Sequence, residues 1–299
     1  MSQPKITLLG TGLMGAPMAR NIAAAGFDLT VWNRTAARAQ SLADAGITVA
    51  PDVAAAVAGA DMIISMLSDG PSSLALLGDA LPHVTPGALW IDMASTKPSE
   101  ALSMADAAAT RAVAFLDAPV SGGTKGAEDA TLAIMIGGAA SDVTRAQPLL
   151  ASMGRPVHVG PTGAGQLAKL CNQAIVAITI GAVAEATLLA TQGGADPAAL
   201  RAALKGGFAD STILQQHGTR MSTGDFVPGG RASVQVKDLD NILTEAEALD
   251  LTLPMAAHVR ERFAHLIGSM GQGDADHSAL YLELLAQNGL QHPTAQPSD

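Results

Sequence analysis

Along the first half of the chain, short apolar runs alternate with Ala-rich stretches, and glycine, proline or aspartate stands in nearly every gap between them. Apolar runs of this length, separated by segments with helical spacing, are the pattern of βαβ units and a parallel sheet. The candidate strands are residues 6–9, 29–32, 62–66, 89–93, 115–117 and 132–136, and the helix after the first is expected to run to Ala25. Turn signals such as Asp69-Gly70-Pro71, Pro86-Gly87 and Gly137-Gly138 separate them. The strand pattern stops near Gly160. From Gly163 to about Asn288, Ala, Leu, Met, Gln and Glu recur at helical spacing. The pattern therefore predicts an open α/β domain with a parallel-rich sheet over residues 1–162. An all-α domain follows over residues 163–299, joined to the first by a long helix spanning about 165–192. A helix of that length needs a structural reason, and a course through the centre of its domain, apolar around most of its circumference, supplies one. Residues 292–299 are polar and Pro-rich and are expected to fray.

Composition narrows the picture. A hydrophobic fraction of 48% with 15% charged residues describes a globular chain, and the 3% aromatic content makes the core aliphatic and leaves no stacking platform for bases. Seventeen Lys and Arg against 27 Asp and Glu give a net charge of −10, which disfavours nucleic acid as a partner. The single cysteine, Cys171, cannot form an intramolecular disulfide or a thiolate metal cluster, so a reducing compartment is expected. Cys171 itself reads as a small core residue. Residues 1–5 show no signal-peptide pattern, and a cytoplasmic location is expected. The uncharged run 174–184 is too short to span a bilayer. Polar Lys169, Asn172 and Gln173 precede it and Glu185 ends it, as in a buried helix with one functional end, so no membrane is expected as a partner.

Four blocks carry candidate chemistry. Gly10-Thr11-Gly12-Leu13-Met14-Gly15 matches G-x-G-x-x-G between a strand and a helix, where the glycines allow a tight turn, close approach of a pyrophosphate and close packing of helix on strand. About twenty residues further on, where an NAD enzyme carries an acid for the ribose 2′-hydroxyl, the sequence reads Asn33-Arg34-Thr35. With no carboxylate to repel a 2′-phosphate and an arginine to grip it, NADP(H) is favoured, with NAD(H) as the alternative. Arg34 can also be read as a solvated surface residue. In the third block, Asp117-Ala118-Pro119-Val120-Ser121-Gly122-Gly123, a strand ends in a turn whose hydroxyl and amides could hold a carboxylate, although such turns are often only turns. The fourth runs from Gly163 to Gln173 at the head of the long helix. Lys169 shares a helix face there with Asn172 or Gln173, and an apolar setting would bring its ammonium toward acid–base use. A helix-end lysine snorkelling to water is the other reading.

Taken together, in this order, the four blocks resemble the beta-hydroxyacid dehydrogenase family, and the resemblance extends over nearly the whole chain, including Val236-Lys237-Asp238-Leu239 and Ala275-Asp276-His277-Ser278-Ala279. The resemblance implies a Rossmann-like domain and a helical domain that pairs with another copy as a homodimer or homotetramer. It implies Lys169 as catalytic acid/base, with Ser121, Gly122 and Gly123 on the substrate carboxylate and Asn172 orienting the substrate. Many relatives carry asparagine at both amide positions, so Gln173 is an equal candidate. Lys237 would lie near the cofactor, and Met66, Leu67, Ser95 and Thr96 would line the dinucleotide beside Gly10, Gly12, Leu13, Met14, Gly15, Asn33, Arg34 and Thr35. The chain has no basic tail for a sugar phosphate, so a small non-phosphorylated hydroxy acid, tartronate semialdehyde reductase-like, is the expected substrate. An NAD-dependent 3-hydroxyisobutyrate or serine-type dehydrogenase is the alternative within enzymes, and a dinucleotide-binding sensor or scaffold the one outside them. No metal is expected. Asp274, Asp276 and His277 lie close in sequence, but nothing near them in sequence completes a ligand set, and they read as a cleft or interface loop.

Overall fold

The computed structural model describes residues 3–292. Among these, the strands are β1 (Lys5–Leu9), β2 (Asp28–Trp32), β3 (Thr48–Val49), β4 (Met62–Ser65), β5 (Leu89–Asp92), β6 (Ala114–Asp117), β7 (Val120–Ser121), β8 (Leu132–Gly137) and β9 (Gly154–Gly160). All belong to one sheet. Its first part, in the order β3-β2-β1-β4-β5-β6, is parallel throughout. β8 then runs antiparallel to β6 and β7, and β9 pairs parallel to β8. This order reverses at β1 and β4, the switch point at which doubly wound sheets bind dinucleotides.

The apolar runs are continuous because both faces of the sheet are covered. Leu8, Ile64, Ile91 and Leu116 pack into one core with Met18 and Ile22 of α1 (Gly15–Ala24). Their neighbours Leu9, Ile63, Trp90 and Phe115 point the other way, into a second core. There they meet Ala56 and Val57 of α3 (Val53–Val57), Leu77 of α4 (Gly70–Ala80) and Met104 of α5 (Pro98–Ala109), whereas Ala39 of α2 (Ala36–Gln40) joins the first core. α6 (Gly123–Glu128) and α7 (Ala140–Ala151) complete this part. The three strands that the apolar pattern missed, β3, β7 and β9, are two residues long or largely exposed, so burial writes little on them.

The chain divides into two compact units at a point within α8 (Ala164–Gln192), the first ending at Lys169 and the second starting at Leu170. The second unit holds α9 (Pro197–Leu204), α10 (Thr212–Thr223), α11 (Ala232–Ala248), α12 (Pro254–Gly268) and α13 (Leu280–Gln287). Ala177, Ile180, Val183, Ala184 and Leu188 of α8 enter its core with Leu239, Phe263 and Leu284. The expectation of a helix buried on most sides is corrected here. Cys171, Ile175, Ala182, Ala186 and Leu189 are exposed along the opposite stripe, with Ile175 at 66% and Leu189 at 75%. At 29 residues and mean hydropathy 1.9, α8 is long and apolar enough to cross a bilayer by length and composition, unlike the shorter run read from sequence. Its inner stripe is nonetheless a packed core face. His292, grouped in sequence with the fraying tail, is buried and its Nε2 lies 2.8 Å from the Met221 carbonyl; residues 293–299 lie outside those described.

Candidate active site

The turn after β1 is built as dinucleotide chemistry requires. Gly10 has φ +100° and donates its N–H to the Trp32 carbonyl at 2.8 Å, fastening the turn to β2. A Cβ on Gly10 would collide with the Met66 carbonyl, and one on Gly15 with the Gly10 carbonyl, so both positions need glycine for close approach. A Cβ on Gly12 would meet nothing, which leaves open space above the turn. Met14 occupies the N-cap of α1 without a side-chain cap, whereas Asp52, Asp69, Asp196 and Ser211 cap α3, α4, α9 and α10. The uncapped N–H groups of α1 and the space over Gly12 fit a pyrophosphate. Leu13 stands 84% exposed over the same turn.

At the end of β2, Asn33 Oδ1 accepts the Thr11 N–H at 3.0 Å and Nδ2 donates to the Thr35 carbonyl at 3.0 Å. Asn33 thus braces the glycine turn itself, while Arg34 and Thr35 are exposed. Met66 and Leu67 are half-buried after β4, Ser95 is exposed after β5, and Thr96 is buried with its Oγ1 unpartnered among the described residues.

The head of α8 is fixed by residues that sequence reasoning passed over. Asp117, at the end of β6, accepts the N–H of Gly163 and of Gln166, each at 2.8 Å, and so caps the helix. Burial, the larger influence, pushes its carboxyl up despite these donors. Gln166 is fully buried; its Nε2 donates to the Ala94 carbonyl at 2.8 Å and its Oε1 accepts the Thr96 N–H at 3.0 Å. The β5–α5 loop is thereby tied to the first turn of α8, one helical turn before Lys169. Asp117 was visible as the first residue of its motif; nothing in sequence marked Gln166. Across the register from Asp117, Asp92 is fully buried with its Oδ1 accepting from Ser65 and Ser73, and burial pushes its carboxyl up to about 7. Ser121 is half-buried, and Gly122 (φ +141°) and Gly123 (φ +62°) turn the chain into α6 with no side-chain cap on their amides.

In the second unit, Asn172 Nδ2 donates to Gln173 Oε1 at 2.8 Å, and Gln173 Nε2 donates to Asp238 Oδ2 at 2.6 Å. Lys237 Nζ lies 3.8 Å from Asp238 Oδ1. Cys171, expected in the core, is exposed, because its position on α8 falls on the outward stripe. Asp276 and His277, read from sequence as a cleft or interface loop, are joined by a residue distant in sequence. His217 from α10 comes in beside them, with ligand atoms of all three within 4.8 Å of one another. Asp276 is nevertheless filled as an acceptor: Oδ2 takes the N–H of Gly229 and Gly230, Oδ1 takes the N–H and hydroxyl of Ser278, and Arg220 lies 3.7 Å away. Although burial opposes it, these donors hold the Asp276 carboxyl down at about 2, and burial pushes His217 down to about 4. A cation would have to displace those donors and sit beside a guanidinium, so the cluster is a buried knot joining α10, the 225–231 segment and the turn at 276–278 that leads into α13.

The family model described as the NAD binding domain of 6-phosphogluconate dehydrogenase matches residues 5–163, and that described as the NAD-binding part of NADP-dependent 3-hydroxyisobutyrate dehydrogenase matches residues 163–284. The 2-hydroxy-3-oxopropionate reductase of Escherichia coli is 40% identical over 96% of this chain and 99% of its own length. The chain belongs to the beta-hydroxyacid dehydrogenase family. Among other beta-hydroxyacid dehydrogenases, the NAD-dependent L-serine dehydrogenase of Pseudomonas aeruginosa is 34% identical over 92% of this chain and 96% of its own. The solved structure of Mycobacterium tuberculosis 3-hydroxyisobutyrate dehydrogenase with L-serine superposes with a TM-score of 0.86 at 33% identity, over 95% of this chain and 99% of that one. Family membership makes this an NAD(P)-dependent hydroxyacid dehydrogenase, as the motif order implied.

Proposed function

We propose that the protein is an NADP(H)-dependent reductase or dehydrogenase of a small, non-phosphorylated beta-hydroxy acid or its semialdehyde, with Lys169 as its proton-transfer group. The observation that carries this reading is the placement of Lys169 one helical turn after Gln166, whose buried amide holds the Thr96 loop that follows β5. NADPH, when bound, supplies the hydride. In reduction the Lys169 ammonium donates a proton to the oxygen that develops charge; in oxidation its neutral amine removes the hydroxyl proton. The Ser121 hydroxyl and the Gly122 and Gly123 amides serve the substrate carboxylate, a role favoured by their uncapped N–H groups.

Preference for NADPH is supported by Asn33 in the place of an acid, with its amide spent on the turn, and by exposed Arg34 beside it. The relative with the higher identity, named for 2-hydroxy-3-oxopropionate, favours a substrate of that kind. The exposed apolar stripe of α8 is the surface we assign to pairing with a second copy.

The test is steady-state kinetics with both dinucleotides, beside direct NADPH titration. The Lys169→Ala protein should lose about 10²- to 10⁴-fold in kcat while binding NADPH as the parent does. Turnover within a few-fold of the parent would exclude the catalytic role, and equal kcat/KM with NADH in the parent would overturn the dinucleotide preference.

A further inference from the structure

The chain Asn172–Gln173–Asp238 has a direction. Asn and Gln amides present a donor at one end and an acceptor at the other, and either orientation is usually open to them. Asp238 removes that freedom. An ionised carboxylate only accepts, so the end of Gln173 that approaches it at 2.6 Å must be Nε2. Oε1 of Gln173 then faces Asn172, which must answer with Nδ2, at 2.8 Å. The polarity set by one carboxylate is passed through two amides. Asn172 is left with Oδ1 as the end turned away from Gln173.

An acceptor at this point selects among the atoms of a small hydroxy acid. Taking the proposed role of Lys169 as given, the reacting oxygen gains negative charge during reduction, and a carbonyl oxygen beside it would be repelled. The substrate carboxylate offers no hydrogen either. The remaining polar group is the substituent on the carbon between them, and it must be a donor. We infer that Asp238 is a positioning residue that turns the Asn172 carbonyl toward a hydroxyl or ammonium group on the substrate carbon adjacent to the carboxylate. The enzyme is thereby specific for 2-hydroxy or 2-amino acids over those carrying a methyl group or hydrogen at that carbon. A site built to pair a hydrogen-bonding group rejects analogues that lack it, because its own polar atom is left unpaired.

The experiment compares oxidation of glycerate, serine, 3-hydroxyisobutyrate and 3-hydroxypropionate by the parent and by Asp238→Asn. The parent should favour glycerate or serine over the other two by about tenfold or more in kcat/KM, the worth of one well-made hydrogen bond. In Asp238→Asn either end of the new amide can face Gln173, so the polarity is no longer enforced. Activity on the favoured substrate should fall about tenfold while that on 3-hydroxypropionate stays within about threefold. A merely structural effect would lower all substrates together, and that result would overturn the inference, as would a parent that uses 3-hydroxyisobutyrate or 3-hydroxypropionate as well as glycerate. If the parent oxidises none of the four, it is the dehydrogenase reading on these substrates that fails, and the substrate preference with it. The relay is then judged from the side-chain amide NMR signals of Gln173 and Asn172, which should both shift in Asp238→Asn; if the Asn172 signal is unmoved, the relay is wrong.

Discussion

Asp92 is a carboxylate that the fold keeps dry, with Ser65 and Ser73 on one oxygen and no described partner on the other. Its folded value of about 7 lies above the ordinary carboxylate value near 3.8, so the folded state holds a proton that the unfolded state has released. Stability is therefore highest at or below about pH 4 as far as this group is concerned, and falls by about 1.4 kcal/mol per pH step up to about 7. Asp92→Asn removes the titration while keeping the shape. The melting temperature of Asp92→Asn relative to the parent should therefore rise between pH 4 and pH 8; a difference that does not vary with pH would assign the pH dependence elsewhere. His217 works in the opposite sense, since its folded value of about 4 makes the protein lose stability as pH falls below the usual histidine range. Comparing each variant with the parent at the same pH separates the two.

At the scale of elements, the head of α8 is held by buried polar contacts rather than by apolar packing. Asp117 caps it, and Gln166 satisfies one N–H and one carbonyl of the β5–α5 loop. Gln166→Leu would leave both loop groups buried and unpaired, at about 1–3 kcal/mol each. The melting temperature should drop by several degrees, and Gln166→Glu, which keeps an acceptor for the Thr96 N–H, should recover part of it. Equal loss in the two variants would mean that packing volume, not the Thr96 bond, matters there. This anchor was invisible in the sequence because Gln166 and Thr96 are 70 residues apart and a glutamine in an amphipathic segment carries no periodic signature. The strands of the parallel core, by contrast, were legible, because burial on both faces forces unbroken apolar runs such as Met62-Ile63-Ile64.

For the whole molecule, the stripe of α8 containing Ile175, Ala182, Ala186 and Leu189 is apolar and exposed. An apolar stripe of this kind is the sort of surface that a second copy covers in symmetric oligomers. Sedimentation at micromolar concentration should show an assembly larger than the monomer, and Ile175→Glu with Leu189→Glu should reduce it to monomer. A monomeric parent would refute the assignment.

The parallel core strands with their alternating helices, the glycine turn and the Asn33-Arg34 pair were determined by the sequence alone, since each rests on periodicity or on a local backbone need that neighbouring residues spell out. Which face of α8 is buried was not so determined: its apolar residues run nearly all round, and only packing against Leu239, Phe263 and Leu284 decides which of them enter the core. Asp117, Gln166 and Asp238 likewise became meaningful only through partners distant in sequence. A polar residue advertises neither its burial nor its partner, because hydrogen bonds are satisfied in space, whereas hydrophobic spacing is written along the chain.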